Sequence, residues 1–238
     1  MQLDKTEIEA ATKVFHARAI LFDMDGTHVD SSAVIDRAWL WWSARHGIPP
    51  EPILRVQQGR PNREVLREFG PHLDIEAEAA AFLRFEETDT GGVVPVPGAL
   101  EAVGQARQGL WGVVTSADRS LAEVRLKATG FPVPPVLVSA DMIHRGKPDP
   151  ECFLLAARLL NVDPAECVVF EDAKAGAAAG KAAGMTVIGL LTSLSKGELP
   201  ADWHIRDFRD VRISRLPKTF EIIAGDPFCP PGSLPPLA

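Results

Sequence analysis

Cysteine is scarce in this sequence. Cys152, Cys167 and Cys229 are odd in number and form no Cys-x-x-Cys pair, so reduced thiols are expected rather than a disulfide framework. Long apolar runs are missing too, and no stretch approaches the roughly 20 residues that a membrane span needs. The amino terminus, MQLDKTEIEAATKVF, carries acidic residues and lacks the apolar segment of a secretory signal. Nor is there a basic excess: Lys and Arg number 25 against 32 Asp and Glu, the formal net charge is −7, and no Lys/Arg run forms. These absences argue against nucleic-acid and membrane partners and predict a cytoplasmic protein.

What is present suits a globular protein with a sizeable core: 238 residues, 46% hydrophobic and 24% charged. Five apolar runs rich in β-branched residues read as buried strands, at Arg18–Phe22, Leu110–Thr115, Val136–Ser139, Cys167–Phe170 and Thr186–Leu190. Helix-sized segments lie between the later ones. Leu121–Thr129 stops at Gly130, Glu151–Leu160 at Asn161 and Ala173–Ala183 at Gly184. Strands apolar on both faces, alternating with helices, predict a parallel α/β sheet covered on both sides. A weaker run at Trp203–Arg206 is a candidate edge strand.

One connection is too long. A βαβ unit takes roughly 30 residues, yet the first run ends near Asp23 and the second begins near Leu110. The excess reads as helices. Ser31–His46 puts Ile35, Ala38, Trp39 and Trp42 on one stripe, Asn62 caps a second helix through Phe69, and Leu73–Glu87 forms a third. Residues 31–93 are therefore expected to be a helical cap inserted into a core of residues 1–30 and 94–224, with hinges near Asp30 and Gly91/Gly92. Residues 225–238 read as a Pro-rich tail.

The chemistry gathers at predicted strand ends, where open α/β sheets bind ligands. The first strand ends in Phe22-Asp23-Met24-Asp25-Gly26-Thr27, two acids one residue apart with a glycine for a tight turn. The second ends in Val114-Thr115-Ser116 and the fourth in Phe170-Glu171-Asp172. Gly146-Lys147-Pro148-Asp149-Pro150 sets a lysine in a turn; Pro148 and the lack of an upstream glycine exclude a P-loop.

Together these motifs resemble the haloacid dehalogenase superfamily of phosphotransferases over nearly the whole chain. All four signature motifs stand in order: Asp23-Met24-Asp25-Gly26-Thr27, Thr115, Lys147 and Glu171-Asp172. The resemblance implies a Rossmann-like α/β core with an inserted helical cap of the C1 type. It points to the sugar-phosphate and polyol-phosphate phosphatases related to β-phosphoglucomutase. It further implies that Asp23 is the nucleophile and Asp25 the general acid and base. Thr115, Ser116 and Lys147 would bind phosphate, and Asp23, Asp25, Glu171 and Asp172 would serve Mg²⁺. The expected partner is a small phosphorylated metabolite, and the expected state a monomer or weak homodimer.

Cap residues are less determined. Gln58, Arg60 and Asn62 either bind sugar hydroxyls or form a solvated turn, and Arg119 either touches substrate or stands exposed in a first helical turn. Trp39, Trp41 and Trp42 read as core rather than a stacking platform. His28 stands where the family usually has leucine, either as a buried hydrogen-bonded histidine or as a contact made on cap closure. The alternative activity is a phosphosugar mutase. That family's cap histidine is matched here by Ile35, which favours hydrolysis. Phosphonate cleavage needs a cap lysine, and residues 31–93 contain none.

Overall fold

The structure, a computed structural model, describes residues 12–57 and 60–227. Strands β1 (Thr12–Ala17), β2 (Ala19–Phe22) and β3 (Val29–Asp30) lead into four helices. These are α1 (Ser32–His46), α2 (Pro50–Val56), α3 (Asn62–Phe69) and α4 (Ile75–Thr88). The chain returns through β4 (Val94–Pro95), α5 (Ala99–Ala106), β5 (Leu110–Val114), α6 (Arg119–Thr129) and β6 (Val136–Val138). It continues as α7 (Glu151–Leu160), β7 (Cys167–Glu171), α8 (Lys174–Ala182) and β8 (Thr186–Leu190). It then closes with β9 (Trp203–Ile205), β10 (Val211–Arg215) and β11 (Phe220–Gly225).

The expected parallel sheet is there, six strands in the order β6-β5-β2-β7-β8-β9. The Trp203 run joins it as the edge strand β9. Strand β2 sits centrally and is buried on both faces. Ile20 and Phe22 face one hydrophobic cluster, Ala19 and Leu21 the other. Each fully buried Leu, Ile or Phe side chain contributes about 1.5–3 kcal/mol, so a polar substitution anywhere in β2 loses support from both sides. Among the described residues, no helix is long and apolar enough to cross a membrane. Cys152 and Cys167 are free and buried; Cys229 lies outside the described residues.

The helices α1 to α4 carry their own apolar centre of Trp39, Trp42, Ile53, Val65, Leu66 and Phe82. Trp39 and Trp42 are buried and meet edge to face at 5.8 Å, and Trp39 packs on Phe82 at 4.5 Å. Trp41 instead stacks half-buried on Phe85. At the base of these helices β3 and β4 pair antiparallel, a narrow two-strand link near the predicted hinges.

Several local readings need correction. Helix α2 is an addition to the expected cap helices; it opens on Pro50, and proline is tolerated in a helix's first turn. Pro61, not Asn62, flanks α3, and the Asn62 amide turns inward to Glu86. Asp74 caps α4 by accepting from the Glu76 and Ala77 amides, so that helix starts two residues late. A second sheet, β1-β11-β10, covers the face of the main sheet that carries Phe22. Gly225, read as the start of the tail, closes β11 opposite Thr12. The rest of that predicted tail, from 228 onward, lies outside the described residues.

Candidate active site

Register alone brings the motif residues together. Phe22 pairs with Val113 on one side and with Phe170 on the other. The next positions, Asp23, Val114 and Glu171, therefore reach the same sheet edge, with Thr115 and Asp172 one step beyond. Lys147 arrives from the loop before α7 and puts its ammonium among them. Its Nζ donates to Asp23 Oδ1 at 2.5 Å, Glu171 Oε1 at 2.7 Å and the Val114 carbonyl at 3.3 Å. Burial opposes the charge on Lys147, but the anions of Asp23 and Glu171 outweigh it and hold its pKa above the ordinary lysine value.

Asp23, Glu171 and Asp172 are all buried and can present ligand oxygens within 4.8 Å of one another. Burial is the main influence on Glu171 and pushes its carboxyl up to about 7, with Asp23 adding to the rise and Lys147 opposing it. Asp172 is raised well above the usual carboxylate range, by burial first and then by Glu171 and Asp23. Hydrogen bonds from Ser193 and Thr27 pull the other way without winning. Three crowded carboxyls thus face one lysine and are short of positive charge. Hard oxygen donors in such a deficit are what a small divalent cation requires. Gly26 makes the crowding possible: at φ +81°, its missing β-carbon would fall on the Asp172 carboxylate.

Asp25 stands apart from this cluster. Ser31 Oγ donates to its Oδ1 at 2.7 Å, and Arg125 Nη1 lies 2.8 Å from its Oδ2. Thr115 is buried, its Oγ accepts from the Ala117 amide at 3.0 Å, and Ser116 is exposed at the same strand end. Glu171 has both oxygens engaged, the second by the Ala173 amide at 2.7 Å. Arg119 is held by Glu123, the Leu137 carbonyl and Met142, none of them a member of the acid cluster. Arg60 pairs with Glu68 at 2.9 Å, and Gln58 lies outside the described residues.

His28 is buried, and its Nδ1 lies 2.6 Å from the Asp23 carbonyl. A carbonyl only accepts, so Nδ1 carries the hydrogen. Burial lowers the pKa of this ring, which stays neutral and braces the backbone of Asp23. Sequence reasoning missed Arg125, Glu86 and Ser193, and gave no role to Thr27 within the first motif, where its hydroxyl donates to Asp172. Arg125 had a readable signal: it shares the buried stripe of α6 with Leu121, Ala122 and Leu126, and a charge on an apolar stripe needs a partner. Glu86, which follows Phe82 by one turn on α4, carried the same signal.

Comparison with known proteins gives consistent findings. Residues 17–184 match the family model described as haloacid dehalogenase-like hydrolase. The chain is 42% identical to hexitol phosphatase A of Escherichia coli strain K12 over 212 residues, 87% of this chain and 98% of that one. It is 38% identical to validoxylamine A 7'-phosphate phosphatase of Streptomyces hygroscopicus subsp. limoneus, over 82% and 96% of the two chains. Among solved structures, CbbY from Rhodobacter sphaeroides in complex with phosphate superposes with a TM-score of 0.70 at 26% identity, covering 81% of this chain and 95% of that one.

Proposed function

The chain belongs to the haloacid dehalogenase-like hydrolases and is a phosphoric monoester hydrolase; we propose that it releases phosphate from a small sugar or polyol phosphate through an aspartyl-phosphate on Asp23. The observation that carries this reading is the meeting of Asp23, Lys147, Glu171 and Asp172 at the carboxyl end of the central strands. Relatives of this closeness named as hexitol and validoxylamine phosphate phosphatases support the substrate class.

In the proposed mechanism, Lys147 holds Asp23 Oδ1 and so turns the carboxylate toward phosphorus. Asp23 attacks in line, the bond from phosphorus to the leaving alcohol breaks, and Asp25 gives that alcohol its proton. Asp25 then takes a proton from water, whose oxygen attacks phosphorus and frees Asp23. Thr115, Ser116 and Lys147 bind the phosphoryl oxygens, and Glu171 keeps Lys147 in position. Asp23, Asp172 and the Asp25 carbonyl would hold Mg²⁺, with Glu171 beside them. The ion supplies positive charge against the phosphoryl oxygens. The proposed domain division is a core of residues 1–30 and 94–224 with residues 31–93 as a cap that excludes water. Ile35 packs apolar between the core and cap clusters and offers no imidazole, which supports hydrolysis over phosphosugar transfer.

The test is phosphate release across a panel of sugar and polyol phosphates, with glucose 1-phosphate monitored for glucose 6-phosphate. Free phosphate from several polyol or sugar esters is expected. Conversion to glucose 6-phosphate without free phosphate would replace hydrolysis by mutase chemistry.

The metal assignment has a readout independent of turnover. A cation that relieves the crowded carboxyls binds the folded chain alone, so saturating Mg²⁺ at a hundredfold its Kd should stabilise by about 2.7 kcal/mol. For a chain of this size that is roughly 5–10 °C in Tm. An unchanged melting curve between EDTA and Mg²⁺ would remove the ion from this site.

A further inference from the structure

The Arg125 guanidinium bridges two acids from different parts of the chain. Nη1 lies 2.8 Å from Asp25 Oδ2, and Nη2 donates to Glu86 Oε1 at 2.6 Å. Arg125 belongs to α6, beside the sheet, whereas Glu86 belongs to α4, one of the inserted helices. The contacts extend at both ends. Asn62 of α3 donates its amide to Glu86 Oε2 at 3.3 Å, and Ser31, at the entry to α1, donates to Asp25 Oδ1. A polar chain Asn62–Glu86–Arg125–Asp25–Ser31 thus crosses from the inserted helices to the catalytic turn.

Burial gives this chain its meaning. The side chains of Arg125 and Glu86 are 4% and 3% exposed, whereas Asp25 is 24% exposed. A carboxylate and a guanidinium so deeply enclosed are strongly disfavoured unless paired with each other. When α4 lies against α6, Glu86 has its cation and Arg125 has both anions. If the inserted helices lift away, Glu86 goes with them and Arg125 is left with Asp25 alone.

From this geometry we infer that Arg125 is a positioning residue that couples docking of the inserted helices to the orientation of Asp25. Glu86 is the residue through which docking is sensed. With Glu86 in place the guanidinium is shared, and Asp25 is steadied at the leaving-group side without being monopolised. Without Glu86 the second arm of the guanidinium loses its anion, and both arms are free to draw Asp25 from its place at the leaving-group side. The inference rests on the hydrolytic reading above, with Asp25 as proton donor.

The experiment compares a polyol phosphate, whose alkoxide leaving group needs a proton, with p-nitrophenyl phosphate, whose leaving group does not. Glu86→Gln keeps the shape of the side chain and removes its charge. Arg125→Lys keeps the charge and loses the two-armed reach. Both variants are expected to lower kcat on the polyol ester by about 10- to 100-fold, the range general acid catalysis supplies. The pre-steady-state burst of nitrophenolate should stay within about threefold of the parent, because departure of that group needs no acid. Equal losses on both esters would reduce Arg125 to a structural role and overturn the inference, as would no loss on either. Glu86→Gln is close to isosteric and keeps this readable should Arg125→Lys fold poorly. A parent protein that releases phosphate from neither ester fails at the hydrolytic reading itself, a result distinct from a parent that turns over beside variants that lose rate evenly.

Discussion

Asp23→Asn is expected to release no measurable phosphate, with kcat down by on the order of 10⁵-fold, because an amide oxygen is a poor nucleophile and its phosphoryl adduct does not form. The fold should survive. Asparagine keeps an oxygen in place for the Lys147 ammonium at 2.5 Å, and Lys147 keeps its second carboxylate, Glu171, at 2.7 Å. The substitution also relieves strain, since the charge of Asp23 contributes to the raised pKa of both Glu171 and Asp172. The weaker hold of a neutral amide on the Lys147 ammonium opposes that relief, so a Tm within a few degrees of the parent is expected. The covalent role can be read directly. Rapid acid quench of the parent with substrate should leave one phosphoryl mass on the peptide containing Asp23, and the variant should leave none. Phosphate release by Asp23→Asn at a rate near the parent's, with the residue verified after turnover, would end the nucleophile assignment.

How much of this was legible before any coordinates depends on the kind of signal each element carries. Strands β2, β5, β7 and β8 are read from near-continuous apolar runs, and the acids that end β2 and β7 mark the edge where the sheet opens. The strands β1, β10 and β11 were not read. β10 and β11 alternate buried and half-buried positions, as in Val211-Arg212-Ile213-Ser214, and β1 is buried only at Ala17; such short mixed runs resemble loops until a partner strand is known. Helix α5 was hidden between Pro97-Gly98 and an internal Gly104. Within the site, the residues legible in sequence were those whose chemistry sits in a local motif. Arg125 and Glu86 belong to no motif and are distant along the chain, so only their burial on apolar stripes betrays them. Arg119 had two readings, a substrate contact or an exposed residue in a first helical turn; in the structure it opens α6, and its guanidinium meets Glu123 one turn on and the carbonyl of Leu137.

The second large effect is expected from the smallest side chain near the site. At Gly176, in the first turns of α8, a β-carbon would fall inside the Glu171 carboxylate. A flexible side chain normally swings away at little cost, but this one is 1% exposed and held at both oxygens, by Lys147 and by the Ala173 amide. Moving it leaves Lys147 with Asp23 and a carbonyl only. Moving the helix instead is blocked one turn on. A β-carbon at Gly180 would stand 2.9 Å from Val187, so the same face of α8 is already in close contact with the sheet. Gly176→Ala must therefore overpack or break a buried pair. Overpacking costs about 1–3 kcal/mol and disrupting a buried ion pair about 3–5 kcal/mol, against a gain of about 1 kcal/mol in helix propensity. Because Glu171 has no room to move without leaving its partners, the broken pair is the expected outcome, with a net loss of about 2–4 kcal/mol, or roughly 5–15 °C in Tm, together with most of the turnover, since the residue displaced is the partner of the lysine that orients Asp23. Gly104→Ala supplies the contrast. It is also helical, nothing lies within 4 Å of its β-carbon position, and the same propensity term acts there unopposed, so Tm should hold or rise slightly. Should Gly176→Ala melt no lower than Gly104→Ala, the Glu171 carboxylate does not rest against α8 and the lysine–glutamate–helix arrangement at the site is wrong.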